Sequence, residues 1–236
     1  MGIDQVRDPA LDWEEQARNW IAWVRRPEFD SYWHYRADFF GLVPPPGVAT
    51  LDLGCGEGRV SRDLVARGHR VTGIDASPTL IEAARQAHPD GEYLLGDAAD
   101  LPFADASFDL VVAYNVLMDV HDLAGTLREA ARVLTPGGTL CMSTTHPMND
   151  AGRFEDGKLI IERSYFDRHR VADEAERDGL RMVFHGWTHP LSDYASTLEE
   201  NGLLIQALRE PRYPGRSHNP TWLIPLHLWI KAIKPG

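Results

Sequence analysis

"TLDLGCGEGRVSRDLVARG", Thr50 to Gly68, sets Gly54, Gly56 and Gly58 two residues apart between an apolar run and an amphipathic one, with carboxylates at Asp52 and Glu57. The run "VATLDLG" has the β-branched and leucine content of a buried strand, and "RVSRDLVARG" reads as a short helix closed by Gly68. Downstream, "RVTGID" is a second strand, and Ser77 and Pro78 are N-cap and first residue of a helix over "PTLIEAARQAH". "EYLLGD", "FDLVVAYNV" and "GTLCMST" supply three more strands. A helix from about Leu123 to Leu134 precedes the turn "TPGG", whose Pro then Gly suits a type II turn. A last helix, "LSDYASTLEENG", is followed by "LLIQALREP" and "WLIPLHLWIKAIK", two closing strands. Such alternation predicts an α/β fold, a doubly wound, mostly parallel seven-stranded sheet covered by helices on both faces.

The 236 residues are 43% hydrophobic, enough for one sizeable core, so a single domain spanning 1–236 is expected. The formal charge of −11 repels phosphate backbones, which argues against nucleic acid and anionic membrane as partners. The first residues have neither the apolar stretch of a signal peptide nor the acid-poor character of a transit peptide, and a cytoplasmic location is expected. Cys55 and Cys141 are the only cysteines, too few for a disulfide framework and without metal-ligand spacing. No metal is expected.

Two segments stand outside the alternation. Residues Leu11 to Phe40, within an expected helical cap over 1–46, carry nine aromatics, including Trp13, Trp20, Trp23 and Trp33. Between the expected cofactor core (47–146) and the closing elements (191–236), residues 147–190 form a long insertion. In it two extended runs, "KLIIERSYF" and "LRMVFHGWTHP", are separated by the charged "DRHRVADEAERDG". The two segments are expected to roof the site as a lid and supply an acceptor pocket, with plain core packing or a homodimer contact as the rival reading of the same rings. A chain lacking residues 1–40 is expected to fold around the sheet.

A glycine-rich turn after the first strand sits at the carboxyl edge of such a sheet, where ligands bind. Asp75 ends the second strand 21 residues beyond Gly54, placed to hold a ribose diol. A dinucleotide fits less well, because Arg59 occupies the place of the third glycine of its fingerprint and a pyrophosphate would meet Asp52 and Glu57. The ligand favoured is a nucleoside without phosphate and with positive charge, as in S-adenosylmethionine.

"LDLGCGEG", the acid of "VTGIDAS", "GDAADLPFADASFDLVVAYNV" and "REAARVLTPGGTL" together resemble class I S-adenosylmethionine-dependent methyltransferases of the small-molecule type 11 group, over roughly Val48 to Thr145. The resemblance implies a Rossmann-like methyltransferase fold and methyl transfer from S-adenosylmethionine to N, O or C of a small, aromatic or hydrophobic metabolite. It implies backbone contacts from Gly54, Cys55 and Gly56 to the methionine part of the cofactor, and Asp52 on its ammonium. Asp75 would take both ribose hydroxyls and Ala76 the adenine, with Asp97 and the Ala98 N–H at the adenine amino group. Asn115 and Val116 would lie under the sulfonium.

A base is needed only if the acceptor must lose a proton. The candidates are His146 after the fifth strand, Asp119 and His121 after the fourth, and Tyr35, with His185 and His189 further out. Trp20 and Tyr32 are expected on the cofactor side, and Trp33, His121, Phe154, Tyr165 and Trp187 on the acceptor side. The rival functions are an NAD(P)-dependent oxidoreductase, a DNA amino-methyltransferase, disfavoured by "YNVLMDV" after the fourth strand, and a module that binds the cofactor without turnover.

Overall fold

The computed structural model describes residues 9–156, 158–161, 163–212 and 224–236. Among them no helix is long and apolar enough to cross a membrane. The chain opens with helices α1 (Pro9–Val24) and α2 (Tyr32–Phe40). It then alternates through β1 (Thr50–Leu53), α3 (Arg59–Val65), β2 (Val71–Asp75), α4 (Pro78–Ala87), β3 (Glu92–Leu95), β4 (Phe108–Tyr114), α5 (Leu123–Val133) and β5 (Leu134–Thr145). The short α6 (Pro147–Asp150) leads to the hairpin β6 (Gly152–Glu155) and β7 (Lys158–Ile161), and then to the hairpin β8 (Arg170–Arg177) and β9 (Leu180–Trp187). Helix α7 (Leu191–Glu200), β10 (Leu204–Arg209) and β11 (His227–Ile233) close the fold.

Seven strands form one sheet in the order β10-β11-β5-β4-β1-β2-β3. Strands β1 to β5 pair in parallel, and β11 is antiparallel to both of its neighbours, as the mostly parallel expectation required. Sequence order reverses between β1 and β4, the switch point at which open α/β sheets leave a crevice at their carboxyl edge.

Local signals set the helix starts. The Ser77 hydroxyl accepts the Leu80 N–H at 3.1 Å at the N-cap of α4, with Pro78 next, and the Asp122 carboxylate accepts the Gly125 N–H at 2.8 Å to cap α5. The two sheet faces bury different cores. Leu127, Ala130 and Val133 of α5 and Tyr194 and Leu198 of α7 cover one face, over Leu51, Leu53, Val111 and Leu140. On the other face Tyr35, Phe39 and Phe40 of α2 and Val60 and Leu64 of α3 cover Leu110, Val112, Tyr114 and Trp229.

One expectation is refined and one needs correcting. "TPGG" lies in the first part of β5, with Gly137 at φ +79° as the Pro-then-Gly turn requires, its N–H donating to the Lys234 carbonyl at 2.8 Å where the register against β4 shifts. The charged run in the insertion is not a spacer, because Arg170 to Arg177 pairs along its full length with β9 through the turn at Asp178 and Gly179, both at positive φ. Alternation puts Val171, Asp173, Ala175 and Arg177 on the face that lines the cavity at the glycine turn while Glu174 and Glu176 face outward, a pattern that charge density masks in the sequence.

Helix α2 also differs from a detachable cap. Tyr35 and Phe39 are wholly buried, and the Phe39 ring meets Tyr114 at 4.8 Å and Trp229 at 5.6 Å, edge to face. Removing residues 1–40 would strip one face of the sheet. Phe39→Ala should lower stability by about 3–5 kcal/mol in urea denaturation; a loss below about 1 kcal/mol would show that α2 is not part of the core.

Candidate functional site

At the switch point β1 ends in Gly54 at φ +68°, where an added Cβ would stand 2.3 Å from Val116 Cγ2. Only glycine allows the turn to pass the residues after β4. The Gly54 and Cys55 N–H groups both donate to the Ile74 carbonyl, at 2.9 and 3.0 Å, which ties the turn to β2. Gly56, at φ +55°, then donates to Asp75 Oδ2 at 2.8 Å, and the Ser77 N–H donates to Oδ1 at 2.9 Å. A Cβ on Gly56 would meet nothing nearer than Trp20 Nε1 at 3.8 Å, so bare backbone faces open space there. Burial raises the Asp75 carboxyl above its ordinary value, against the hydrogen bonds from Ser77 and Gly56 that favour the charged form.

This turn opens into a cavity of about 1180 Å³. Pockets for one drug-sized ligand run to roughly 300–1,000 Å³, so the space stands at the upper end of that range. Gly54, Cys55, Gly56, Asp75, Ala76, Asp97, Ala98, Asn115 and Val116 all line it, as do Trp20, Asp119, His121, His185 and Trp187. Asn115 holds a left-handed φ of +53°, and its Oδ1 accepts the Ser143 hydroxyl at 2.6 Å. Asp97 spends one carboxylate oxygen on the Ala99 N–H, a local turn at 2.8 Å.

Other expected residues lie elsewhere. Asp52 is sealed beneath the turn, where the Ser61 hydroxyl donates to it at 2.5 Å and burial pushes its carboxyl up to about 7. Glu57 is clamped by Arg62 through two bonds of 2.8 and 2.9 Å. Asp52 is therefore not presented to a ligand as the sequence had indicated, whereas Glu57 lines the cavity with its carboxylate paired to Arg62. Tyr32 is buried beside the cavity, donating to Asp63 at 2.5 Å. Trp33 donates to the Val24 carbonyl at 3.0 Å and Tyr165 accepts the Leu191 N–H at 2.8 Å; neither lines the cavity. Tyr35 is core, packed edge to face on His227 and Trp229. His146 is spent on structure: Nδ1 accepts the Met148 N–H at 3.2 Å and Nε2 contacts Glu210 at 3.0 Å. His189 is buried against Tyr194. The side chain of Phe154 lies outside the described residues. Cys55 is buried, and its thiol is raised well above the ordinary value, chiefly by burial.

The roof is built from α1 and the β8–β9 hairpin. Glu14 accepts the hydroxyls of Ser77 and Thr79, both at 2.5 Å, and so straps α1 to the start of α4. Asp12 pairs with Arg170, Asn19 donates to the Arg181 carbonyl at 3.1 Å, and Arg177 donates to the Phe29 carbonyl at 2.8 Å. On the other side, the Trp187 N–H donates to the Met118 carbonyl at 2.7 Å and the Trp187 ring meets His121 at 5.0 Å. The sequence reading missed Trp13, Arg59, Asp150, Asp173 and Phe184, all of which line the cavity. Asp119 accepts a hydrogen bond from Trp13, and burial raises its carboxyl well above the ordinary value. No group of three or more His, Cys, Asp or Glu suited to a metal ion occurs among the described residues.

A family model described as a methyltransferase domain matches residues 51–142. A demethylmenaquinone methyltransferase of Tropheryma whipplei is 37% identical over 176 residues, covering 73% of each chain. A malonyl-[acyl-carrier protein] O-methyltransferase of Serratia marcescens is 38% identical over 121 residues, 49% of this chain and 48% of that protein. The chain thus spans about half the length of that relative, and 59% of a 2-methyl-6-phytyl-1,4-hydroquinone methyltransferase of Synechocystis that is 29% identical. In fold, an S-adenosylmethionine-dependent methyltransferase from Mesorhizobium loti superposes with a TM-score of 0.71 at 24% identity, over 88% of this chain and 100% of that one.

Asp150 gives a pH-dependent test of this environment. Its carboxyl is pushed up to about 7 by burial, then by Asp173, against a hydrogen bond from Thr145. A folded-state value above the unfolded value of about 3.9 means that the folded state holds the proton more tightly. The carboxyl therefore costs nothing below about pH 4, progressively more between about pH 4 and 7, and a constant amount above 7. Asp150→Asn should raise stability at pH 8 by on the order of 2–4 kcal/mol and leave it nearly unchanged at pH 4. Urea denaturation at the two pH values reads the difference; equal effects would mean that this carboxyl titrates as it does in water.

Proposed function

Because the chain belongs to the class I S-adenosylmethionine-dependent methyltransferases, in the type 11 group, we propose that it transfers the methyl group of that cofactor to a small acceptor held under the α1 and β8–β9 roof. The observation that carries this reading is the joining, at the switch point, of bare backbone at Gly54 and Gly56 to the Asp75 carboxylate inside a cavity of about 1180 Å³. Gly54, Cys55 and Gly56 would lie along the methionine part, and Asp75 would accept from both ribose hydroxyls. Ala76, Asp97 and Ala98 would line the adenine, and Asn115 and Val116 the sulfonium side.

When bound, S-adenosylmethionine supplies an electrophilic methyl carbon on a positively charged sulfur. The protein's part is to align the acceptor with that carbon, to exclude water and to take up a proton where one is released. Trp13, Trp20, Phe184 and Trp187 give the cavity aromatic walls suited to a planar, apolar acceptor. Two of the relatives are named for quinone or hydroquinone acceptors. A free carboxylate, such as the malonyl group in the name of the Serratia relative, would share the cavity with Asp119, Asp150 and Asp173 and would be repelled by whichever of them is ionised. Asp119 replaces His146 as the first candidate base, since it lines the cavity and His146 does not.

Incubation with methyl-labelled S-adenosylmethionine and a metabolite extract, followed by identification of the labelled product, tests the activity and separates it from binding without turnover. Asp75→Ala should weaken S-adenosylmethionine binding by about 2–4 kcal/mol in calorimetry, because two charge-assisted hydrogen bonds are lost. Unchanged affinity would remove Asp75 from the ribose. With the acceptor known and its deprotonation required, Asp119→Asn should lower kcat roughly a hundredfold while His146→Ala stays within a few-fold. The reverse ranking would return the base to His146.

A further inference from the structure

Ser31 stands at the N-cap of α2, a position where a serine hydroxyl ordinarily accepts an N–H of its own helix. Here it makes no such bond; Asp30, one residue earlier, takes the Tyr32 N–H at 2.7 Å instead. The Ser31 hydroxyl turns across to β11 and meets His227 Nε2 at 3.0 Å, its partner among the described residues. His227 is only 3% exposed, and Tyr35 packs edge to face on its ring. Nδ1 makes no aligned hydrogen bond, and the Thr144 carbonyl on the neighbouring strand, which can only accept, favours a proton on it. Burial pushes the imidazole down to about 4, against Asp30 and that carbonyl, so near neutral pH the ring carries a single proton. With that proton on Nδ1, Nε2 is a lone pair and the Ser31 O–H donates to it. The serine keeps its oxygen lone pairs and has no proton to give.

Ser31 and His227 both line the cavity, as do Tyr114, Thr145 and Asn149, and the bond between the two is part-buried rather than sealed. Strand order sets their place in it. Strand β11 pairs with β5, β5 with β4 and β4 with β1, so the start of β11 lies three strands from the glycine turn and two from Asn115. At ordinary strand spacing those are about 14 and 10 Å. We propose that Ser31, oriented by His227, selects methyl acceptors that carry an O–H or N–H at the end away from the reacting atom, an inference that rests on the methyltransferase reading above. Such a group finds an oxygen whose own proton is already committed, whereas an ether or carbonyl oxygen in the same place sets lone pair against lone pair. A site built to receive a donor rejects the analogue that lacks it. The chain entering His227 is held still for this: the Asn149 amide donates to the Pro225 carbonyl at 2.5 Å and the His146 N–H to the Leu226 carbonyl at 2.9 Å. Ser31 is the contact, and His227 is a positioning residue behind it.

The competing role is structural, with the Ser31–His227 bond only joining α2 to β11. Calorimetry on the protein saturated with S-adenosylhomocysteine, with 2,6-dihydroxynaphthalene and 2,6-dimethoxynaphthalene as probes, separates the two. The wild type should bind the diol about tenfold more tightly than the diether. In Ser31→Ala that ratio should fall to within about threefold, while affinity for S-adenosylhomocysteine stays within about threefold of the wild type and so reports an intact fold. Ser31→Thr, which keeps the hydroxyl, should keep the ratio. His227→Phe frees the serine proton to reach an ether oxygen; it should lower the ratio likewise, and it decides the matter if the alanine variant does not fold. Equal affinity of the wild type for the two probes, binding of neither, or an unchanged ratio in a folded variant would overturn the proposal. Failure of the wild type to bind S-adenosylhomocysteine would instead sink the cofactor reading, and this proposal with it.

Discussion

The closeness of Gly54 to Val116 is the constraint from which the site follows. Two parallel strands, β1 and β4, run side by side and send their chains to opposite halves of the sheet, so the residues after them share one narrow crevice. With no Cβ at residue 54 the first turn can dip beneath Val116 and hang from the Ile74 carbonyl. That geometry carries the Gly56 N–H to the Asp75 carboxylate, which orients the acid for a ligand on its remaining lone pairs. A bulkier residue at 54 would lift the turn off β2, and the cofactor end would lose its shape before losing any functional group.

A second dependence links the roof to this floor. Glu14 bonds Ser77, the cap of α4, which itself donates its N–H to Asp75. Helix α1 is therefore strapped to the element carrying the acid at one side and to the β8–β9 hairpin at the other. Desolvation beneath such a roof also explains why Asp119 and Asp150, with no cation paired to them among the described residues, are held above the ordinary carboxylate range. Of the two, the Asp150 carboxyl, pushed up to about 7, exchanges its proton near neutral pH.

The sheet and the cofactor end were legible in the sequence because both rest on local signals. Strand–helix alternation, Ser77 and Asp122 as caps, and the spacing of Asp75 from Gly54 each mean the same thing in any context. The rest depended on contacts distant in sequence. Tyr35 and Tyr32 sit on one helix among other aromatics, and nothing local tells a core ring from a wall ring. The structure buries the first under Trp229 and sets the second behind Arg59. His146 follows a strand at the carboxyl edge, the right address for a base, yet its ring turns to the Met148 N–H and Glu210. Strand β8 was hidden because a two-stranded ribbon with one wet face needs few apolar residues.

The division between what is shared and what is individual follows the same line. The residues matched by the methyltransferase family, 51–142, contain the glycine turn, Asp75, Asp97 and Asn115, all of which line the cavity where the cofactor is proposed to lie. Trp13, Trp20, Asp150, Asp173, Phe184 and Trp187 come from elements before and after that span. Likeness to relatives that act on quinones or on a malonyl group therefore speaks mainly for the donor half of the reaction. The acceptor half has to be argued from the physics of its own wall, where aromatic faces favour flat apolar groups and uncompensated carboxylates disfavour anions. On the proposed reading the acceptor is a neutral or cationic group with an aromatic face, and Asp119 is the wall acid proposed to take its proton where one is released.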